Sequence, residues 1–294
     1  MNSNFQVAYK KIRPSVVGIG FSDGKTTSII GTGFIVSENG WILTNRHVLE
    51  PLIAEKEKAT GIHGNAAISL FVTVPPTDDK FQAMAGVMVV GVTQISFPEP
   101  RELPPTEDSK LNELSAEQVL TPDLPDLGLC KIEPATLHPA ALPLKPAVFK
   151  YPTEGLEGLP VGILGFPQGL NLPAEFSASS QLQMTPLLQT GVISGALPIT
   201  GMPNPENYIL DIFVNGGSSG SPLFDTEGNI VGVVYATRQR YEPVIQTDYE
   251  GNHTELENVG VRLPSALGIA VPTGRIPEEW FQTMITKETP NKAG

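Results

Sequence analysis

The chain has 294 residues, enough for one large all-β domain or two small ones. Its hydrophobic content is that of an ordinary soluble globule, and it carries a net charge of −12. A surface this acidic repels nucleic-acid phosphates and anionic lipid, which excludes nucleic-acid and peripheral membrane partners, and no apolar run approaches the ~20 residues needed to span a bilayer. Glycine and proline number 29 and 28, which argues for many turns and short strands. The one cysteine, Cys130, can form no intramolecular disulfide. The N-terminal stretch has no apolar core followed by a small-residue cleavage site. Together these predict a cytoplasmic location.

Residues 3–12 carry Phe5, Ala8, Tyr9 and Ile12 at near-helical spacing and stop before Pro14, so a short leading helix is expected. Strand-like runs follow: SVVGIGF, then TSIIGTGFIV and WILTNRHVL joined by SENG, then AISLFVTV, GVMVVGVTQISF and DLGLCKI. An insertion is expected near 75–122. Its acidic, Pro-rich stretch, within residues 98–126, reads as a solvated surface loop, with a regulatory or partner-binding loop as the other reading. A linker rich in Pro and Ala covers roughly residues 134–160. The second half continues with VGILGF, QLQMTPLLQTGVISG, YILDIFV, SPLFD, NIVGVVYA and ALGIAVP. Ile276, Trp280 and Met284 share one face of a terminal helix expected to pack on the second half. No repeat occurs at a solenoid or propeller period.

The chemistry-bearing residues are few. In Asn215-Gly216-Gly217-Ser218-Ser219-Gly220-Ser221-Pro222, glycines around serine allow sharp turns and leave N–H groups unblocked, as an oxyanion hole requires. A plain Gly/Ser hairpin loop has the same composition. Gly216 to Gly220 also spells the nucleophile-elbow pattern centred on Ser218. That elbow needs a helix immediately afterwards and the order Ser, acid, His, whereas Pro222 and a strand-like run follow here. Among four histidines, His63, His138 and His253 lie in polar or Pro-rich stretches, and only His47 closes a strand. Asp126 opens the apolar run DLGLCKI, where a carboxylate needs a donor such as an imidazole N–H. Asp123 competes with it; Asp126 directly precedes the strand and is preferred. The resulting order His47, Asp126, Ser219 is the chymotrypsin order.

These segments resemble the trypsin-like peptidases, and most closely the protease domain of the high-temperature-requirement (HtrA, Do-like) group. The resemblance covers roughly residues 5–275, the insertion excepted. GTGFIVSENGWILTNRHVL is similar to the family's strand-turn-strand ending in the catalytic histidine, and DLGLCKI to its aspartate strand. GILGFPQGL, TGVISG, DIFVNGGSSGSPLFDTEGNIVGVVYA and GIAVP match later segments in order. The resemblance implies an all-β, chymotrypsin-like fold of two antiparallel six-stranded β-barrels with short N- and C-terminal helices. Residues 1–135 would hold the helix and first barrel, and 136–294 the linker, second barrel and C-terminal helix, together one protease unit.

It further implies a serine endopeptidase with His47, Asp126 and Ser219 as its triad and the backbone N–H groups of Gly217 and Ser219 as its oxyanion hole. Phe213, Val234, Tyr235 and Ala236 would border the substrate pocket. An uncharged Phe213 implies cleavage after small or medium apolar residues, unless it merely fills the barrel core. Protein or peptide substrates are implied, with no metal and no organic cofactor. The alternatives are a catalytically weak, protease-like peptide-binding or scaffold domain, or the protease module of a larger switchable protein. Departures from the family pattern are Ser218 and Ser221 where Asn and Gly are common and 79 positions between His47 and Asp126; neither a secretory signal nor a following PDZ domain is expected from this sequence.

Overall fold

The computed structural model describes residues 3–22, 26–50, 53, 69–74, 88–98, 125–137, 139–167, 170–173, 186–201, 205–247 and 253–285. Helix α1 (Ser3–Ile12) leads into six strands: β1 (Val16–Ser22), β2 (Thr26–Ile35), β3 (Trp41–Thr44), β4 (Ser69–Val74), β5 (Met88–Ser96) and β6 (Gly128–Ile132). They pair in the order β1-β4-β5-β6-β3-β2, and β2 returns to β1, which closes an antiparallel barrel. The second half supplies β7 (Val148–Phe149), β8 (Pro160–Gly165), β9 (Leu170–Pro173), β10 (Leu187–Leu197), β11 (Asn207–Leu210), β12 (Pro222–Asp225), β13 (Asn229–Thr247) and β14 (His253–Pro272), then α2 (Glu278–Ile285). The order β12-β8-β10-β11-β14-β13 closes through β12–β13 into a second six-stranded antiparallel barrel. β7 adds in parallel to β13, and β9 reaches back to pair with β2 of the first barrel.

Side-chain alternation divides the apolar residues among three cores. Val17, Ile19, Ile35, Ile42, Cys130 and Ile132 point into the first barrel. Val161, Ile163, Leu210, Leu223, Val231 and Val234 point into the second. The opposite faces of the same strands meet between the barrels, where Phe34, Trp41, Leu43 and Leu129 pack with Leu164, Phe166, Phe224 and Val233. Strands buried on both faces explain why WILT and PLFD read as unbroken apolar runs.

The two helices seal this junction. Ala8 and Ile12 of α1 are buried in the inter-barrel core, and Phe5 meets Phe224 edge-on at 6.4 Å. Lys11 donates to the carbonyl of Glu227 and the side chain of Asn229, each at 3.0 Å, so a helix that opens the first barrel is fastened to the second. Ile276 and Trp280 enter the same core, and Phe281 packs edge-on against Phe149 and Tyr151. The terminal helix thus covers the junction as well as the second barrel.

Of the segment 75–122 expected to carry an insertion, residues 88–98 are described, and they hold β5, the strand expected from GVMVVGVTQISF, between β4 and β6; residues 75–87 and 99–124 lie outside the described residues. One sequence expectation changes. NIVGVVYA and ALGIAVP are only the bases of a long hairpin, in which β13 and β14 pair from Gly232↔Pro272 out to Thr247↔His253. Its outer half escaped notice because Pro243 and three register shifts interrupt the alternation that marks a strand.

Candidate active site

His47 lies in a helical turn, residues 46–50, that follows β3 directly. Val48 and Leu49 anchor that turn in the first barrel's core, which leaves the His47 side chain 48% exposed. Asp126 stands two residues before β6, the neighbour of β3 in the sheet, so the sheet brings it to the same barrel rim. Its Oδ2 lies 2.5 Å from His47 Nδ1, and its Oδ1 accepts the His47 backbone N–H at 3.1 Å. Asn45 Nδ2 donates to the Asp126 carbonyl at 2.7 Å. Both carboxylate oxygens therefore hold one residue, and the aspartate's own backbone is tied to the strand end that carries it. A carboxylate on Nδ1 fixes the proton there and leaves Nε2 as the ring's acceptor. Of the remaining histidines, His253 opens β14 at the far end of the long hairpin; His63, His138 and the competing Asp123 lie outside the described residues.

The serine loop hangs between β11 and β12 of the second barrel. Ser218 N–H donates to the Asn215 carbonyl and Ser221 N–H to the Ser218 carbonyl, both at 3.0 Å. These are two successive turns, and each has a glycine with φ of 86° in its third position, Gly217 and Gly220. Positive φ there is what this turn type demands and what glycine supplies without strain. A strand, β12, follows the loop, so the elbow geometry centred on Ser218 is not formed. Ser218 is buried, and its hydroxyl has no hydrogen-bonding partner among the described residues.

The peptide planes of the loop alternate between pinned and open. Thr32 Oγ1 holds the Gly217 carbonyl at 2.7 Å, and Thr32 N–H holds the Ser219 carbonyl at 2.8 Å. Gly220 N–H donates to the Val234 carbonyl, and Val234 N–H to the Ser221 carbonyl, which lays the loop along β13. Among the described residues no acceptor takes the N–H of Gly217 or Ser219. The Ser219 hydroxyl donates to the Tyr235 carbonyl at 3.2 Å.

The two halves are coupled through backbone. Thr44, three residues before His47, donates its hydroxyl to the Thr32 carbonyl at 2.6 Å, and Thr32 in turn grips the serine loop. Asp126 and Tyr235 also border one cleft of about 250 Å³, shared with Pro125, Glu206, Asn207, Val271 and Arg275. Of the residues expected at a substrate pocket, Tyr235 and Ala236 are half-buried on β13. Val234 is buried, with its side chain in the second barrel's core. Phe213 is 42% exposed, so it does not fill the core, and its carbonyl accepts from Gln189 at 2.9 Å. Sequence reading missed Thr32, Thr44 and Asn45. Their types are ordinary for strands and strand ends, and only the pairing of strands distant in sequence reveals what their polar atoms touch. Among the described residues no group of His, Cys, Asp or Glu gathers in a way that could hold a metal ion.

Two closed six-stranded barrels, with a paired His and Asp on one rim and a glycine-bracketed serine on the other, define the chymotrypsin-like class. The chain belongs to the trypsin-like peptidase family, whose domain matches residues 31–233. No curated protein matches it in sequence. Among solved structures it is similar to Deg5, at 22% identity and a TM-score of 0.50, over 81% of this chain and 88% of that one. It is also similar to the HtrA-type protease AlgW with a decapeptide, at 16% identity and a TM-score of 0.51, over 96% of this chain and 67% of that one. With a tripeptide AlgW aligns at 18% identity and a TM-score of 0.50, and there this chain, 96% covered, spans 63% of its length. At these identities the likeness is one of fold. Membership in the family makes the chain a serine-protease homologue, for which peptides or proteins are the substrate class.

Proposed function

We propose that the protein is a serine endopeptidase working through an acyl-enzyme, with Ser219 as nucleophile, His47 as general base and acid, and Asp126 as the group that orients His47. The observation that carries this reading is the pairing of both Asp126 oxygens with His47, three residues after Thr44, whose hydroxyl bonds the same Thr32 that holds the serine loop. With Nδ1 committed to Asp126, Nε2 accepts the Ser219 proton as Oγ attacks the substrate carbonyl. The Ser219 hydroxyl, which rests on the Tyr235 carbonyl, turns toward His47 for this step. The N–H groups of Gly217 and Ser219, which hold no protein acceptor among the described residues, receive the oxyanion. His47 then protonates the leaving amine, the acyl-enzyme forms on Ser219 Oγ, and water attacking through the same base releases the product acid.

Phe213, six residues before Ser219, offers no charge to a cationic side chain, so cleavage after Val, Ala, Ile or Leu is expected. A peptide-library digest read by mass spectrometry tests this; predominant cleavage after Lys or Arg contradicts it. The nucleophile itself is tested with a fluorophosphonate probe. Labelling mapped to Ser219 supports the reading, and a folded protein that stays unlabelled while hydrolysing no peptide refutes it.

A further inference from the structure

We infer that Thr32, buttressed by Thr44, is a positioning residue of the first barrel that sets the oxyanion loop of the second; the inference rests on the peptidase reading above. Thr32 is fully buried on β2, and every polar atom it has is engaged. Its N–H goes to the Ser219 carbonyl at 2.8 Å. Its hydroxyl donates to the Gly217 carbonyl at 2.7 Å and accepts the Phe166 N–H at 3.0 Å. Its carbonyl accepts the Thr44 hydroxyl at 2.6 Å. Three of these four bonds cross from the first barrel into the second half of the chain.

What the crossing bonds hold matters more than their number. The two carbonyls Thr32 grips belong to the planes Gly217–Ser218 and Ser219–Gly220. Those planes flank the Ser218–Ser219 plane that carries the Ser219 N–H, and the first of them adjoins the plane carrying the Gly217 N–H. Fixing the flanking carbonyls fixes the direction in which the two open N–H groups point. A hydroxyl has one proton, and the Phe166 N–H occupies an acceptor site on Thr32 Oγ1, so that proton is directed to the Gly217 carbonyl. The contact is close enough that a Cβ on Gly220 would lie 1.9 Å from the Thr32 carbonyl and 2.3 Å from Thr44 Oγ1. The strut is thus short, buried and specific to the hydroxyl. Its partner, Thr44, lies at the end of the strand that carries His47, so one pair of threonines sets the loop against the base.

A residue that only sealed the junction would affect stability and leave the chemical step alone. A positioning residue changes the rate at saturating probe and leaves probe binding in place. The test is the fluorophosphonate reaction of the full chain, resolved into its limiting rate and its half-saturation concentration, for wild type, Thr32→Val, Thr32→Ser and Thr44→Val. Thr32→Val keeps the branched shape and loses the hydroxyl. Its limiting rate is expected to fall about 10²-fold, the scale of a misplaced oxyanion donor, with half-saturation within about threefold of wild type. Thr32→Ser restores the hydroxyl and is expected within about fivefold of wild type. Thr44→Val frees the Thr32 carbonyl and is expected to lower the limiting rate about tenfold; it carries the test should Thr32→Val not fold. A folded Thr32→Val or Thr44→Val with a wild-type limiting rate, or a Thr32→Ser as slow as Thr32→Val, overturns the inference while wild-type labelling keeps the peptidase reading intact. A wild-type protein that neither labels nor hydrolyses overturns both.

Discussion

The two rims of the cleft are built on different principles. On the first barrel the proposed working parts are side chains, with His47 48% and Asp126 27% exposed and bonded to one another. On the second barrel the proposed working part is mainly backbone. Gly217, Ser218, Gly220 and Ser221 are buried, and the loop is held by carbonyls and N–H groups from β2 and β13. The side-chain rim fails when chemistry is removed, because little packing depends on it. The backbone rim fails when shape is changed, because its pinned planes are bonded to fixed neighbours. Adjacent residues can therefore differ widely in what they contribute, and residues in opposite barrels can act as one.

The largest effect expected comes from the one side chain on the backbone rim that faces the chemistry. Ser219→Ala should lower peptide hydrolysis by about 10⁶-fold if the triad acts as a unit. Ser218→Ala removes a buried hydroxyl that has no partner among the described residues, so it should cost less than about tenfold. Steady-state kinetics on both variants test the distinction. Equal losses would mean that the loop's shape, rather than the Ser219 hydroxyl, was being measured.

On the side-chain rim, Asp126→Asn keeps the shape and loses the charge. It favours the wrong His47 tautomer and should lower the rate by about 10⁴-fold, while Asp123→Asn should not. Circular dichroism on both variants separates loss of function from loss of fold. A comparable loss in Asp123→Asn would move the orienting role to the other carboxylate.

Much of this was legible in the chain. Strand runs, helix ends and the order His47, Asp126, Ser219 are local signals: alternation, a Pro stop, a glycine-bracketed serine. The inter-barrel core was less legible, because WILT and PLFD are apolar on both faces and do not say which face meets which neighbour. Thr32 was invisible for the same reason. Its place between Gly31 and Gly33 is readable, but its bonds to Gly217 and Phe166 span 185 and 134 positions and exist only once both barrels close. The outer hairpin was hidden by Pro243 and by the many polar residues along its two strands.

A change of shape alone should break the backbone rim. Gly220→Ala would place a Cβ 1.9 Å from the Thr32 carbonyl, at a φ of 86° that an L side chain rarely adopts. Strain and overlap together should destabilise the fold by more than about 3 kcal/mol, read by chemical denaturation. Gly216→Ala, whose Cβ would have nothing within 4 Å, is the matched control and should be close to neutral. Equal destabilisation by the two would show that the loop is not held by its contact with Thr32.

The comparison sharpens with a second carboxylate. Asp225, the last residue of β12, is 2% exposed and touches no part of the proposed chemistry. Burial alone would raise its pKa. The N–H groups of Asn229 and Glu227, the Lys150 ammonium and the Asn229 amide outweigh it, and together they hold the carboxyl below the usual value of 3.8. A depressed folded pKa means that the native state favours the charged form. The stability so gained is fully present above the unfolded pKa near 3.8 and is lost as pH falls through the lower, folded value. Asp225→Asn turns an amide donor toward Lys150 or toward the backbone N–H groups. It should cost about 1–3 kcal/mol at pH 7. As pH falls through that lower, folded value the wild-type carboxyl also protonates, and the gap between the two proteins should narrow. Denaturation curves at pH 7 and in the acid range measure this; a gap independent of pH would mean that the variant acts through packing rather than charge. The folded Asp225→Asn protein should still react with fluorophosphonate at the wild-type rate, since neither His47 nor the serine loop bonds to Asp225. One aspartate would then set the reaction and the other the fold, with exposure and partners, rather than residue type, dividing the roles.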